Sequence, residues 1–354
     1  MPNADQRMLA YVDALSEAVA QEMSADERVF VMGLDVDDHK AIQGSTRGLL
    51  EKFGPDRVFT TPISEDAMTG VAIGAAMAGM RPIHVHIRMD FLLLCMNQLI
   101  NIAAKSHYMY GGQVKVPLVV RSMIGKSWGQ GAQHSQALYS MFMHVPGLKV
   151  VAPSNAHDAK GAMIAAIRDD NPVIFVEHRL LYPVKAAVSE DSYTVEAGKG
   201  RIWRHGKDIT IVAISNMVVE TLKAAELLAE IGIDAEVIDP IWLQPLDHDL
   251  IRDSVAKTGR LLVADNAWLN CGASAEIAAR LAEYFGDTRA IPIRRIGFAQ
   301  TTCPPSPTLE RAFYPGPTEV ALAAYEMVRR EAPAWIPDPA KASLAYQEAF
   351  KGPF

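Results

Sequence analysis

Two settings in this chain could do chemistry. Glu65 ends the run Thr61-Pro62-Ile63-Ser64-Glu65, where a strand-like approach turns into a helix rich in Gly and Ala. In α/β sheets that end of a strand faces the ligand crevice. A carboxylate there can accept a proton or hold a nitrogen heterocycle. On position alone Glu65 reads more often as a first-turn acid favoured by the helix dipole. The second setting is Gly131-Ala132-Gln133-His134-Ser135-Gln136, which follows the glycine-rich stretch 125–131. His134 is the best acid–base candidate among the ten histidines, being flanked by hydrogen-bonding side chains. Ser135 beside it is not a nucleophile of the usual kind, because adjacent residues rarely form such a pair and the G-x-S-x-G elbow is missing. No Walker-type phosphate loop and no G-x-G-x-x-G opening a helix occurs.

The elements that must position these residues alternate between strand and helix patterns, which predicts an α/β fold with parallel sheets. Helices are expected over 8–24, 44–53, 68–80, 91–105, 137–143 and 155–168. Asn155 is the expected N-cap of the last, with Asp158 in its first turn. Strands are expected over 29–32, 57–59, 82–87, 116–120, 149–151 and 173–177. Residues 184–207 lose the rhythm and read as a linker. It restarts with strands at 209–214, 235–239, 261–264 and 291–296. Between them lie helices at 218–231, closed by Gly232, and at 247–257 and 274–284. The expected division is a first domain over 1–190, a linker over 191–205, a second domain over 206–333 and an extended tail over 334–354.

Composition narrows the function classes. The chain has 354 residues, 49% hydrophobic and 21% charged, with a net charge of −7. That balance fits a globular protein with a sizeable core and argues against nucleic acid as a main partner, since phosphate binding needs a basic surface. The apolar stretch near Phe91–Met96 is too short to span a bilayer, and the N-terminal segment has an amphipathic helical pattern rather than that of a signal peptide. Cys95, Cys271 and Cys303 show no metal-ligand spacing and read as buried thiols in a reducing cytoplasm.

Several runs together resemble one family. They are Thr61-Pro62-Ile63-Ser64-Glu65, Gly74-Ala75-Ala76-Met77-Ala78-Gly79-Met80-Arg81-Pro82 and Asn101-Ile102-Ala103-Ala104-Lys105 with Met109-Tyr110-Gly111-Gly112. Further runs are Ala132-Gln133-His134-Ser135-Gln136, Pro146-Gly147-Leu148-Lys149-Val150-Val151, Asn171-Pro172-Val173, Pro245-Leu246-Asp247 and Gly272-Ala273-Ser274-Ala275-Glu276. In this order the chain resembles, over about residues 8–330, the beta subunits of pyruvate, acetoin and branched-chain 2-oxoacid dehydrogenases. The resemblance implies two doubly wound domains of the transketolase-like superfamily, a pyrimidine-binding domain followed by a C-terminal domain. It implies thiamine diphosphate as cofactor, which supplies the carbanion chemistry while the protein orients and tunes it. Glu65 matches the glutamate that hydrogen-bonds the aminopyrimidine, Phe91 the aromatic packed on that ring, and His134 the histidine that contacts intermediates or the acyl acceptor. Leu118, Ala166, Ile167, Asp169 and Asn171 match positions that bind a monovalent cation such as potassium, largely through backbone carbonyls.

The diphosphate and its magnesium belong, in this family, to a G-D-G…N motif on an alpha subunit, and this chain has no such motif. The resemblance therefore implies an α2β2 assembly, with a lipoyl acyltransferase component as a further partner and a 2-oxoacid as substrate. The implied reaction is decarboxylation with transfer of the acyl unit to a lipoyl carrier. Alternatives are a non-oxidative decarboxylase or carboligase subunit, and a non-catalytic scaffold. Four positions depart from the family pattern: Leu34 and Val85 stand where acids are frequent, Asn97 where Asp is frequent, and Arg88 where an uncharged residue is usual. Lys126, Trp128 and Gln130 are also unusual. Losing acids while gaining Arg88 and Lys126 makes the site more positive, so Arg88, Lys126 and Trp128 are the expected substrate contacts, for a substrate with an additional anionic group.

Overall fold

The computed structural model describes residues 7–38, 41–126 and 129–344. They form two compact units. The first takes the described residues through Lys126 together with Met141–Ala197; the second takes those between Lys126 and Ser140 together with those from Gly198 onward. The stretch that bears His134 thus clusters with the second unit although first-unit residues flank it on both sides, an excursion that a continuous domain over 1–190 does not contain.

The first unit runs β1 (Met8–Ala10), α1 (Tyr11–Ala25), β2 (Val29–Gly33), α2 (Leu49–Phe53), β3 (Val58–Thr60), α3 (Glu65–Met77), β4 (Arg81–His86), α4 (Ala104–Met109) and β5 (Val119–Ile124). After α5 (Tyr139–Met143) follow β6 (Lys149–Val151), α6 (Ala156–Arg168), β7 (Val173–His178) and β8 (Lys185–Ala187). Six of these strands pair in the order β6-β7-β5-β4-β2-β3, every pair parallel. Strands β2, β5 and β7 are buried along their whole length. A parallel sheet is covered on both faces, so its strands read as continuous apolar runs rather than alternating ones. Helices α1 and α6 pack against each other. Asn155 caps α6 as expected, its side-chain oxygen accepting from the Asp158 N–H at 3.0 Å.

The sequence predicts one helix over 91–105, and the structure breaks it. Met89–Cys95 is a tight 3₁₀ turn, Gln98–Ala103 a widened π-type turn, and only α4 is regular. A run apolar on every side has no periodicity to select one helical face. Tightening and then widening the turns keeps Leu92, Cys95, Leu99 and Ala103 buried in succession. The stretch 184–207, expected without regular structure, holds β8, which pairs antiparallel with β1, and the first strand of the second unit. Strands of three and four residues are too short to display a period.

The second unit runs β9 (Arg201–Arg204), β10 (Ile209–Ala213), α7 (Met217–Glu230), β11 (Ala235–Asp239), β12 (Trp242–Gln244), α8 (His248–Thr258), β13 (Leu261–Trp268), α9 (Ala273–Phe285), β14 (Ile293–Phe298), α10 (Pro307–Phe313), α11 (Pro317–Arg329) and α12 (Pro339–Ala342). Its sheet has the order β14-β13-β10-β11-β9, parallel except for β9 at the edge. The core lies where α7 and α11 cover the strands, with Val237, Leu262, Leu228 and Val320 buried in one cluster. Trp335, in the expected tail, packs on that cluster and stacks on Tyr325 with ring centroids 6.1 Å apart. No described helix is long and apolar enough to cross a membrane. Both units are α/β with parallel sheets, as the alternation of patterns predicts.

Candidate active site at the carboxyl edge of the first sheet

All strands of the first sheet run the same way, so their carboxyl ends share one edge. In open α/β sheets ligands bind outside that edge. Read along the strand order, the edge carries Arg179 after β7, Lys126 after β5, Arg88 after β4, Leu34 and Asp35 after β2, and Glu65 after β3.

Glu65 opens α3, with Asp66 beside it in the first turn and no side-chain cap from Ser64. It is half-buried, at the amino end of the helix. Helix α3 packs on the Met89–Cys95 turn that carries Phe91, itself half-buried. The proximity registers at Cys95, whose thiol is pushed up to about 11 by burial, with Asp66 and Glu65 adding to the rise. That sulfur stays protonated and chemically quiet. The sheet geometry beneath depends on Gly33, which has φ +152° and pairs with Val85 of β4; a Cβ there would lie 2.4 Å from the Val85 carbonyl oxygen.

The other half of the edge is cationic. Arg88 is buried, donates from Nη2 to the Gly125 carbonyl at 3.2 Å, and places Nε 3.5 Å from Oδ2 of buried Asp90. Gly125 has φ +102°, and a Cβ on it would meet the His178 ring at 2.6 Å. The Nδ1 of His178 accepts from the Leu180 N–H at 3.3 Å, which requires a neutral ring with its proton on Nε2. Burial, then the nearby charges of Lys126, Arg88 and Arg179, push that imidazole down to about 3. Arg179 is buried as well, and burial together with Arg88 brings it down to about 10. Sequence reasoning missed Arg179, His178 and Asp90. The usable signal was positional: Arg179 follows the end of its strand just as Lys126 and Arg88 follow theirs.

Beneath this half lies a rigid polar frame. Arg121 donates to Glu177 from Nε at 2.6 Å and from Nη2 at 2.9 Å, both residues fully buried, and the Tyr182 hydroxyl donates to the same carboxylate at 2.7 Å. On β4 the rings of His84 and His86 meet edge to face with centroids 4.3 Å apart. Burial holds His84 down at about 4 and His86 well below its usual value, so both are neutral parts of the core.

The remaining expected residues fall elsewhere. His134 is half-buried on the excursion that clusters with the second unit. There a Cβ on Gly129 would lie 2.5 Å from the Pro305 carbonyl oxygen, and the Tyr139 hydroxyl donates to buried Asp265, which also accepts from the Ser274 N–H at 2.9 Å. Trp128 lies outside the described residues. Leu118, Ala166, Ile167, Asp169 and Asn171 gather at the opposite, amino edge of the first sheet. Arg81 donates there to the carbonyls of Ile167 at 2.9 Å and Asp169 at 3.1 Å, while the Leu118 carbonyl accepts from the Val173 N–H. Val85 is buried, and Asn97 is exposed and accepts from Asn101 at 2.9 Å. Cys95 and Cys303 are buried free thiols, but Cys271 is exposed, against the expectation of burial. It occupies a positive-φ turn position just before α9, between Asn270 and Gly272.

Comparison with known proteins agrees with the two-domain α/β fold. Residues 7–185 match the transketolase pyrimidine binding domain, and residues 198–320 match the transketolase C-terminal domain. The chain is 42% identical over 334 residues to the acetoin:2,6-dichlorophenolindophenol oxidoreductase subunit beta of Bacillus subtilis, covering 91% of this chain and 98% of that protein. It is 44% identical over 316 residues to the mitochondrial pyruvate dehydrogenase E1 component subunit beta-1 of Arabidopsis thaliana, covering 88% and 87%. Among solved structures, a split-gene transketolase described as an inactive beta4 tetramer superposes with a TM-score of 0.74 at 23% identity, over 91% of this chain and 98% of that one, a likeness of fold.

Proposed function

We propose, from the premise that this chain belongs to the beta-subunit family of pyruvate and acetoin dehydrogenase-type enzymes, that it is the beta subunit of a thiamine-diphosphate-dependent enzyme that decarboxylates a 2-oxoacid. The observation that carries this reading is the placement of Glu65: a half-buried carboxylate at a helix start on the carboxyl edge, packed beside the turn that bears Phe91. A carboxylate acceptor next to an aromatic ring can accept a hydrogen bond from an aminopyrimidine and stack on its face, so the residues fit the cofactor. When bound, thiamine diphosphate supplies the electron sink for the carbanion left by decarboxylation. Glu65 accepts a hydrogen bond from the pyrimidine and holds its proton inventory; Phe91 packs on the ring and excludes water. His134 is assigned to contact the substrate or the acyl acceptor, an assignment that rests on Ala132-Gln133-His134-Ser135-Gln136.

Carbon dioxide leaves the 2-oxoacid, and the acyl unit passes to the disulfide of a lipoyl carrier, which it reduces. The diphosphate and magnesium fall to an alpha subunit in an α2β2 assembly, because this sequence lacks the G-D-G…N motif. Exposed Ile63, Val71, Leu94, Tyr108 and Met109 on and around α3 and α4 support a large apolar contact with partner chains. The turn formed by Leu118, Ala166, Ile167, Asp169 and Asn171 is the proposed seat of a potassium ion. Its oxygen donors suit a hard cation, and the carbonyls that serve Arg81 keep a second lone pair. A higher melting temperature in potassium than in choline chloride supports that seat, and equal temperatures contradict it. The cytoplasm is the compartment that suits three free thiols.

The reading is tested by purifying the full chain with the subunit it assembles with and measuring carbon dioxide release from 2-oxoacids. Release that depends on added thiamine diphosphate is the expected result. A complex that binds the cofactor but releases none from any 2-oxoacid overturns it. Acyl transfer to a lipoyl domain separates the dehydrogenase from a non-oxidative decarboxylase, which yields an aldehyde or acyloin instead.

A further inference from the structure

Residues 131–138, which bear His134, lie outside every helix and strand, so no backbone ladder sets the direction of that ring. Two contacts inside the second unit bracket the stretch. Upstream, Gly129 approaches Pro305 so closely that a Cβ would stand 2.5 Å from its carbonyl oxygen, and a Cβ on Gly131 would touch the same proline at 3.7 Å. Downstream, the Tyr139 hydroxyl donates to Oδ1 of Asp265, with both residues fully buried.

Asp265 is itself fixed. Strand β13 changes register against β14 between Ala264 and Trp268, so that residues 265–267 stand where β14 has Gly297 alone. Such a bulge re-aims the side chains within it. Oδ2 of Asp265 accepts from the Ser274 N–H at 2.9 Å, in the first turn of α9. Burial pushes the Asp265 carboxyl up, and the Tyr139 hydroxyl and the Ser274 N–H pull it part of the way back. Each carboxyl oxygen thus has a donor, and removing the Tyr139 hydroxyl takes one away at a site without water to replace it.

Between the two contacts burial alternates. Ser135, Ala137 and Tyr139 are buried, whereas His134, Gln136 and Leu138 are half-buried. A period of two is what extended backbone gives, with successive side chains on opposite sides. The buried side ends on Tyr139 and Asp265, and the other side presents His134. A slip of one residue would exchange the two sides.

We propose that Tyr139, held by Asp265, is a positioning residue for His134, so that the second unit sets the direction of this ring. The inference rests on the role assigned to His134 above and deepens it: Tyr139 acts through His134 and touches no reacting group.

The test is a double-variant cycle on the assembled complex, read as carbon dioxide release from whichever of pyruvate, 2-oxobutanoate and 3-methyl-2-oxobutanoate is used fastest. Tyr139→Phe keeps the ring and removes only the hydroxyl. It should lower kcat by about ten- to a hundredfold, the scale of a misplacement of about 1 Å. In the His134→Ala background the same change should alter kcat by less than about twofold, because no ring remains to be oriented. A second readout needs no turnover. On the cofactor-free complex, Tyr139→Phe should raise the rate at which diethyl pyrocarbonate modifies His134, followed by mass spectrometry, by about twofold or more. Wild-type kcat in Tyr139→Phe, an equal loss in both backgrounds, or an unchanged modification rate overturns the proposal and leaves the decarboxylase reading intact. Wild-type kcat in His134→Ala overturns the role of His134 and the proposal together, again without touching that reading. A wild-type complex that binds the cofactor and releases carbon dioxide from no 2-oxoacid overturns the decarboxylase reading, and the modification rates then decide the positioning claim.

Discussion

Over β2 and β3 the carboxyl edge of the first sheet carries Asp35, Glu65 and Asp66; over β4, β5 and β7 it carries Arg88, Lys126 and Arg179. The two halves differ in burial as well as in sign. Asp35 and Asp66 are exposed and Glu65 half-buried, whereas Arg88 and Arg179 are buried. The acidic half is held by little more than the start of α3. The cationic half rests on a fully buried bidentate ion pair, a neutral histidine and a glycine with no room for a methyl group. A group that must exchange protons with a ligand needs access. Groups that fix the charge of a substrate need a rigid, water-poor setting, where each interaction is stronger.

That contrast can be broken from the cationic side. Glu177→Leu leaves Arg121 buried beside an apolar residue and should cost about 3–5 kcal/mol, read as a lower urea midpoint. An unchanged midpoint would mean that the frame under β7 contributes no rigidity. Acid attacks the same half next. His84 and His178 keep neutral rings down to about 4 and about 3, whereas the unfolded chain protonates them near 6.5. Below 6.5 the unfolded state thus binds more protons, so stability falls as pH drops through that window. The slope is up to about 1.4 kcal/mol per pH unit for each histidine. Above 6.5 these two rings contribute no slope. Chemical denaturation between pH 5 and 8 reads this directly, and His178→Asn should flatten the acid limb. A smaller effect is expected for Gly125→Ala. Its positive φ and the His178 ring at 2.6 Å from the new methyl group should cost about 1–3 kcal/mol. The corresponding change on the acidic side, Asp66→Ala at an exposed position, should stay within about 0.5 kcal/mol.

Glu65 was legible in the sequence, as were Arg88 and Lys126 on the cationic side; Asp35, Asp66 and Arg179 were not. Thr61-Pro62-Ile63-Ser64-Glu65 places an acid at a strand-to-helix junction, and the resemblance of the ordered motifs around it is what the role proposed for it rests on. The cap at Asn155 and the alternation of strands and helices follow from local rules and stand in the structure. Arg179 and His178, in contrast, meet Arg88 and Gly125 only through the pairing of β7 with β5 and β5 with β4, which joins residues far apart in the chain. No local spacing encodes such a meeting. The stretch 91–105 also hid its break, because an apolar run without periodicity is compatible with more than one helical pitch. The excursion of the His134 segment into the second unit follows from tertiary anchors such as Tyr139 on Asp265, which no motif announces.

The central claim is that Glu65 activates a cofactor bound at this edge. The most direct measurement is carbon dioxide release by the Glu65→Gln complex purified with its partner subunit. Removing a positioned acid–base group costs about 100-fold or more, so release should fall by at least that factor while the complex still assembles and melts at the wild-type temperature. An assembled Glu65→Gln complex that releases carbon dioxide at the wild-type rate would contradict the account.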